Sequence, residues 1–435
     1  MTVLRPKFPD HRSPFSKRQE RARKTAAIRA AAAQRFSTYG VQGTRLEDIA
    51  ADLGLTKTSI AYYYPSKDDL VEAVFLTAAE FLEEAVSHAE EMAATADLRI
   101  LGLFQAYVDQ LTDAVDGQRS HPAQLQELDT LPEDMQARIV KRLSATVGRV
   151  NAIVQDWLDQ TNHSPGRSEP VTFCLFALLD WLKVSANELS GEDFKKDSTV
   201  LLDILGGGLA RRGALSGRIT PQFNTHDELP QIFDREARKQ VKREAFLKAG
   251  IRFFNQYGFE GVSLADVAGS LGVTRGAFYY HIPDKESFLE QCLDHSLDTA
   301  EATFDAADQT HSGLDFIQRV LFDLIYMQAS GATPVIRPGL MSALPSTRQK
   351  RYQVRLRNIA RRLGDAHDAA IAAGTARQHD TAAVETILAS IMFLNDGYTL
   401  AAANSFNDWR ISEHPQSATN DYLYILFFGL TAGDA

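Results

Sequence analysis

Residues 44–70 read TRLEDIAADLGLTKTSIAYYYPSKDDL, and residues 262–288 read VSLADVAGSLGVTRGAFYYHIPDKESF. The two stretches align without a gap at a constant offset of 218. In the first, Thr44 and Glu47 have capping-box spacing for a helix through Leu53, with Leu46, Ile49, Ala50 and Leu53 on one face. Gly54 supplies a turn. Thr56 then caps a second short helix, in which Ile60 points inward while Lys57, Thr58, Ser59 and Tyr62 point outward. Pro65 stops it, and Ser66 with Asp69 starts a third helix that leaves Lys67 at its beginning, within reach of a phosphate. A helix, a glycine turn and a second helix with polar side chains at its start is the geometry that offers side chains to base edges in the DNA major groove. The chain carries this pattern twice.

Outward from the first copy, residues 1–17 hold three prolines and scattered charge and read as a mobile arm. An Ala-rich helical pattern begins near Ser16 and stops at Tyr39-Gly40, with Arg18, Arg21, Arg23 and Lys24 at its start, placed for a phosphate backbone or a minor groove. Downstream, apolar spacing of three and four predicts helices over 71–94, 98–115, 133–161, 171–189 and 194–212. The second half repeats the layout with helices over 286–308, 314–329, 346–373, 381–403 and 420–432. FALLDWLKVSANELS (176–190) and FLNDGYTLAAANSFN (393–407) fall in equivalent places, so the duplication spans the whole unit. The expected fold is all-α, with a first head at 18–70, a first body at 71–212, a linker at 213–234, a second head at 235–288 and a second body at 289–435. The linker is rich in turn formers, and its first seventeen residues span up to about 55 to 60 Å when extended.

Composition agrees with two globular halves: 435 residues, 44% of them hydrophobic, fill two cores. The net charge is -10, which argues against nucleic acid until its distribution is read. Residues 1–67 carry 13 Lys/Arg against 5 Asp/Glu, residues 235–285 carry 9 against 5, and the remainder carries 24 against 46. Two basic heads sit on acidic bodies, and an acidic body leaves only the heads free to approach phosphate. The two cysteines, Cys174 and Cys292, have no disulfide or zinc spacing, so a reducing, cytoplasmic setting is expected. The charged N-terminus lacks the apolar core of a signal peptide, and the apolar run 171–182 is too short to span a membrane.

The repeated motif resembles that of the tetracycline-repressor (TetR) family of one-component bacterial regulators, whose run reads roughly T-x-x-x-I-A-x-x-x-G-V-S-x-G-x-L-Y-x-H-F-x-x-K-x-x-L. The second copy matches through Ser263, Val267, Ala268, Gly272, Val273, Thr274, Gly276, Phe278, Tyr279, His281, Ile282, Lys285 and Phe288. The first matches through Ile49, Ala50, Gly54, Leu55, Thr56, Ile60, Lys67 and Leu70. It departs at Arg45, which replaces the usual Ser/Thr cap, at Thr58 for Gly, at Ala61 for a DNA-touching Tyr, and at Tyr63 for His. The resemblance implies a DNA-binding repressor with a double-stranded operator as partner. On the first head, the residues expected at DNA are Arg45, Thr56, Lys57, Thr58, Ser59, Tyr62, Tyr63 and Lys67. On the second they are Ser263, Thr274, Arg275, Gly276, Tyr279, Tyr280, His281 and Lys285.

Members of the family pair their last two body helices across a homodimer. Here the equivalent partner lies on the same chain, so an intrachain pseudo-dimer is expected, with a homodimer of tandem chains carrying four heads as the alternative. Divergent heads imply an operator with unequal half-sites. The bodies are expected, by the same resemblance, to hold a pocket for a small-molecule effector. Its wall residues are taken from Phe104, Tyr107, Trp157, Phe176 and Trp181 in the first half and Phe322, Tyr326, Met327, Met341 and Phe393 in the second, all of which also suit a bundle core.

Catalytic and cofactor motifs are not found. There is no G-x-S-x-G, no H-E-x-x-H and no phosphate-cradling loop, and Gly206-Gly207-Gly208 reads as the interior of an apolar helix. His121, His163, His226, His295, His311, His367, His379 and His414 fall on segments read as surface or turn. Neither an enzyme, a bound cofactor nor a metal is therefore expected. A competing reading is a ligand-binding or scaffold protein whose heads no longer touch DNA; the basic heads and the outward Lys57, Tyr62, Arg275 and Tyr280 argue against it.

Overall fold

The structure is a computed structural model that describes residues 14–92, 94–123, 128, 131–161, 166–215, 217–221, 235–274, 276, 282–392 and 411–431. The first half runs α1 (Pro14–Gly43), α2 (Leu46–Asp52), α3 (Lys57–Ala61), α4 (Lys67–Met92), α5 (Ala96–Val115), α6 (Glu133–Gln160), α7 (Ser168–Glu188) and α8 (Gly191–Gly207). The second half supplies α9 (Arg235–Gly261), α10 (Leu264–Ser270), α11 (Lys285–Asp308), α12 (Gly313–Ala329), a 3₁₀ turn at Pro338–Ala343, α13 (Ser346–Ala372), α14 (Thr381–Ile391) and α15 (Pro415–Phe428). The fold is all-α, two tandem units each with a small helical head on a helical body. Among the described residues β-type pairing is confined to one antiparallel bridge, Ala210 with Ala376. No helix among them is long and apolar enough to cross a membrane.

The duplication is visible in the backbone. α1 breaks at Gly40 (φ 77°) and α9 at Gly258 (φ 66°), and the turns after α2 and α10 place Gly54 at 62° and Gly272 at 65°. Each pair is 218 residues apart. These four positions lie in the left-handed region, which glycine enters without a Cβ penalty. In the first head Ile28, Phe36, Ile49, Ile60 and Leu70 share one core with Phe75 of α4 and Ile139 and Leu143 of α6. In the second, Ile251, Phe254, Val267 and Phe288 are continuous with the body core.

The helix that carries each head is bound to its body by a ladder of ion pairs. Arg138, Arg142 and Arg149 of α6 meet Glu72, Glu80, Glu83 and Glu90 of α4. Arg351, Arg355 and Arg362 of α13 meet Asp294, Asp298, Glu301, Asp305 and Asp308 of α11. Single exposed pairs contribute little, but repeated rungs fix the register of two long helices.

α7 and α8 of the first body pack against α14 and α15 of the second. At the ends of α8 and α15 the contact becomes reciprocal. Leu209 N–H donates to Leu426 O and Ala210 N–H to Phe427 O, both at 2.9 Å. Leu430 N–H donates to Leu205 O (2.8 Å) and Thr431 N–H to Gly206 O (3.0 Å). Leu205 and Leu426, Gly206 and Phe427, Leu209 and Leu430, and Ala210 and Thr431 are each 221 residues apart, so each half does to the other what the other does to it. Gly208 (φ 74°) and Gly429 (φ 72°) make the crossing possible. A Cβ on Gly208 would meet Phe427 O at 2.4 Å, and one on Gly429 would meet Gly208 N at 2.5 Å.

This crossing corrects the expected helix over 194–212 and the placing of Gly206-Gly207-Gly208 inside it. The helix ends at Gly207, and residues 209–210 leave it to bond the other half. The expected helix over 420–432 likewise starts earlier, at Pro415, and ends at Phe428. At the other end of the chain, α1 begins at Pro14, inside the segment read as an arm. Thr44 is not the cap of α2: it is buried and its hydroxyl donates to Gly40 O at 2.9 Å, while Asp48 accepts from the Arg45 amide at 3.3 Å.

The reading of the histidines is corrected at two positions. His367 of α13 is fully buried and His379, just before α14, is 9% exposed, with their rings 5.8 Å apart. His379 Nε2 lies 3.2 Å from Asp203 of α8, which closes the interface between the halves. Burial, with the mutual repulsion of the two rings added for His367, holds both below the ordinary histidine value of 6.5. Neutral histidine is the folded form, so protons bind the unfolded chain preferentially and stability falls as pH drops below about 6.5.

Two outcomes follow. Gly208→Ala lowers the thermal midpoint of unfolding by several degrees more than Gly54→Ala, where a Cβ meets open space, as a thermal melt of each variant will show. His367→Leu removes up to one proton, about 1.4 kcal/mol per pH unit, from the acid-side slope of stability, read by denaturant titration from pH 7 to 5.

Candidate nucleic-acid interface

The first head assembles the residues expected of it. Thr56 begins α3 and its hydroxyl accepts the Ser59 N–H at 3.2 Å, which orients the start of the helix. Ile60 is fully buried, so its neighbours on the opposite face are turned outward. Thr56, Lys57 and Thr58 are exposed, Ser59 half-buried, and Tyr62 is 70% exposed. Tyr63 is half-buried with its ring set edge-on to Tyr62 at 5.1 Å. Tyr64 is buried beneath them, and its burial raises the phenol pKa. Ser66 and Asp69 exchange hydrogen bonds, with Ser66 N–H donating to Asp69 at 3.0 Å and Asp69 N–H to Ser66 at 3.1 Å, so Lys67 opens α4 as expected. Arg45 stands exposed at the start of α2.

Two contacts on this face are not in the motif. The Arg21 guanidinium of α1 sits 5.7 Å from the Tyr62 ring centroid, so the basic start of α1 converges on the recognition helix. The Lys57 ammonium pairs with Glu47 of α2 at 2.7 Å, and that contact holds the Glu47 carboxyl below its usual range. Arg35 of α1 pairs with Asp52 of α2 and fixes the first helix to the second. Glu47 could have been suspected from sequence as an acidic residue on the outward side of α2; its reach to Lys57 depends on the turn at Gly54.

In the second head Ser263 caps α10, its hydroxyl accepting the Ala265 N–H at 3.2 Å, and Thr274 and Gly276 are exposed. Arg275, Tyr279, Tyr280 and His281 lie outside the described residues. Lys285 is half-buried: its ammonium donates to Glu260 O (3.3 Å) and Val262 O (3.1 Å) and lies 4.6 Å from the Phe259 ring centroid. Desolvation lowers its pKa. The heads also touch, α1 packing against α9, and a Cβ added at Gly43 would meet the Glu260 side chain at 3.2 Å.

The residues named for an effector pocket are dispersed through the cores. Phe104, Tyr107, Phe176 and Trp181 are buried in the first body, Tyr107 edge-on to Phe81 at 5.3 Å. Trp157 reaches across the halves, donating to Leu430 O at 3.0 Å and packing on Tyr424. Phe322 is buried and stacks on the half-buried Tyr326 at 5.8 Å; Met327 and Met341 are half-buried, and Phe393 lies outside the described residues. No group of three metal-binding side chains occurs among the described residues.

Residues 28–74 and 246–292 match the model of bacterial regulatory proteins, tetR family, and so cover both heads with their helix-turn-helix. Each head carries its own match to that family, which leaves nearly all of both bodies outside it. Over 51 residues the chain is 51% identical to the HTH-type transcriptional regulator RutR of Escherichia coli K12, covering 12% of this chain and 24% of that protein. Over 52 residues it is 38% identical to the HTH-type transcriptional regulator AcrR of Shigella flexneri, with the same two shares. The chain therefore spans about a quarter of the length of these relatives. Among solved structures, the TetR family regulator PfmR of Thermus thermophilus aligns at 17% identity over 41% of this chain and 95% of its own, with a TM-score of 0.31. A tetR family regulator from Rhodococcus RHA1 aligns at 20% identity over 42% and 96%, with a TM-score of 0.33.

Glu47 restrains Lys57 and places a negative charge on the outward face of α2 and α3, the face expected at DNA. Glu47→Gln tightens binding of the first head's DNA by about two- to fivefold at low salt, the advantage shrinking as salt rises, in a fluorescence-anisotropy titration.

Proposed function

We propose that this chain is a DNA-binding transcriptional repressor of the TetR type that uses its two unequal heads on one pseudo-palindromic operator. One chain supplies what a homodimer supplies elsewhere. The observation that carries this reading is the reciprocal exchange between α8 and α15, an isologous contact closed within one polypeptide. With the bodies joined in this way, the two heads are presented together.

The first head reads bases through Lys57, Thr58 and Ser59, with Thr56 and Tyr62 flanking and Arg21 and Lys67 on phosphate. The second reads through Arg275, Tyr279 and Tyr280, with Ser263, Thr274 and His281 at the edges. Covalent fusion removes the need for the heads to match, because each faces only its own half-site. Lys285 is drawn into its own head, so the second head relies on its N-terminal helix and recognition helix for grip. A small-molecule effector held by the bodies alters the spacing of the heads and releases the operator.

Selection of bound sequences from a random pool yields a consensus with two different half-sites; a perfect palindrome contradicts the proposal. On that operator, Lys67→Ala lowers the salt-dependence slope of log K by about 0.9 with little change in sequence preference. Arg275→Ala instead relaxes preference at one base pair of the second half-site, costing about 1 to 3 kcal/mol there.

A further inference from the structure

The bodies meet reciprocally, but the heads do not. α1 packs against α9, and the last turns of the two helices, set off by the breaks at Gly40 and Gly258, come together. A Cβ built on Gly43 lies 3.2 Å from Glu260 Cγ and 3.7 Å from Glu260 Cβ, so it is the missing side chain of Gly43 that lets Glu260 approach this closely.

The duplication supplies a control for this contact. Gly261 is the equivalent of Gly43, and Gln42 the equivalent of Glu260, each 218 residues away. A Cβ built on Gly261 meets Tyr257 of its own helix at 3.1 Å and, among the described residues, no atom of the first head within 4 Å. The contact therefore runs one way, Glu260 onto Gly43, whereas the seam between α8 and α15 runs both ways. The turn that carries Glu260 is also held from behind. Lys285 at the start of α11 donates to Glu260 O at 3.3 Å and Val262 O at 3.1 Å, and lies over the Phe259 ring between them in sequence. The first head has Val41 in place of Phe259 and Gln42 in place of Glu260. Lys285, which the sequence places for a phosphate, instead fixes the turn that reaches the other head.

The half-sites of a pseudo-palindrome are related by a two-fold, and the pair of heads that reads them must share it. Heads joined by a one-sided contact do not. We propose that the contact of Glu260 with Gly43 is an autoinhibitory latch: it holds the two heads in a pairing that cannot engage both half-sites at once, Lys285 anchors it, and the operator is bound only after Glu260 leaves Gly43. The latch regulates the DNA-binding reading proposed above and rests on it. A modest contact suffices, because apparent affinity for the operator falls in proportion to the fraction of chains that are open. A duplex with one half-site needs one head and is indifferent to the latch.

The contact can be locked covalently. Its 3.7 Å Cβ separation lies within the range of about 3.5 to 4.5 Å that a disulfide spans. Cys174 and Cys292 are both buried, so a Gly43→Cys/Glu260→Cys chain has its accessible thiols at the latch alone. Fluorescence-anisotropy titrations of the full chain, oxidised and reduced, use the selected operator and a duplex carrying one half-site. The oxidised chain binds the operator about tenfold more weakly than the reduced chain or worse, dithiothreitol restores binding, and the two forms bind the single half-site equally. Gly43→Leu, which crowds Glu260 out without changing charge, binds the operator about three- to tenfold more tightly than wild type. A folded cysteine pair that does not close, an oxidised chain that binds the operator as tightly as the reduced one, or a loss equally large on the single half-site overturns the latch. So does Gly43→Leu binding no tighter than wild type, and that variant decides alone should the cysteine pair not fold. Failure of the wild-type chain to bind either duplex refutes the regulator reading, and the latch with it.

Discussion

Four backbone hydrogen bonds at the ends of α8 and α15 tie the two halves of the chain together, each half bonding the other in the same way. Backbone groups leaving a helix end need partners, and here each half satisfies the other's. The crossing demands two residues without side chains at positive φ, which Gly208 and Gly429 supply. Around it gather Trp157 on Leu430, Arg377 on Gly207, and His379 against Asp203. This seam joins the bodies, and the ion-pair ladders along α4 and α11 join each body to the helix that carries its head.

The heads differ in how they hold their positive charge. In the first, Arg21 lies over the exposed Tyr62 ring and Lys57 is paired with Glu47. In the second, Lys285 turns inward onto two carbonyls and Phe259, where the equivalent position in the first head is Val41. Divergence in the motif is thus matched by divergence in electrostatics.

Local chemistry made the heads legible in the sequence. Thr56, Ser66 with Asp69, Gly40, Gly54 and Ile60 act through neighbours within a few residues, and their spacing predicts the caps, breaks and faces that the structure contains. The body helices were legible for the same reason, through apolar periodicity. The end of α8 was not, because Leu209 and Ala210 continue the apolar pattern while their backbone partners lie more than two hundred residues away. His367 and His379 were misplaced on the surface because burial at a seam between halves leaves no local mark. Strapping of the linker at Gly217, Thr220 and Ile219 by Gln318, Arg319 and Asn420 was hidden likewise, since three polar residues on buried helices look like ordinary surface until their partners are known.

In the proposed repressor one chain does the work of two. Native mass measurement of the purified chain on its selected operator duplex tests that most directly. One 48.2 kDa chain per duplex is the predicted result, with both half-sites protected. Two chains per duplex, or one chain protecting a single half-site, would contradict it.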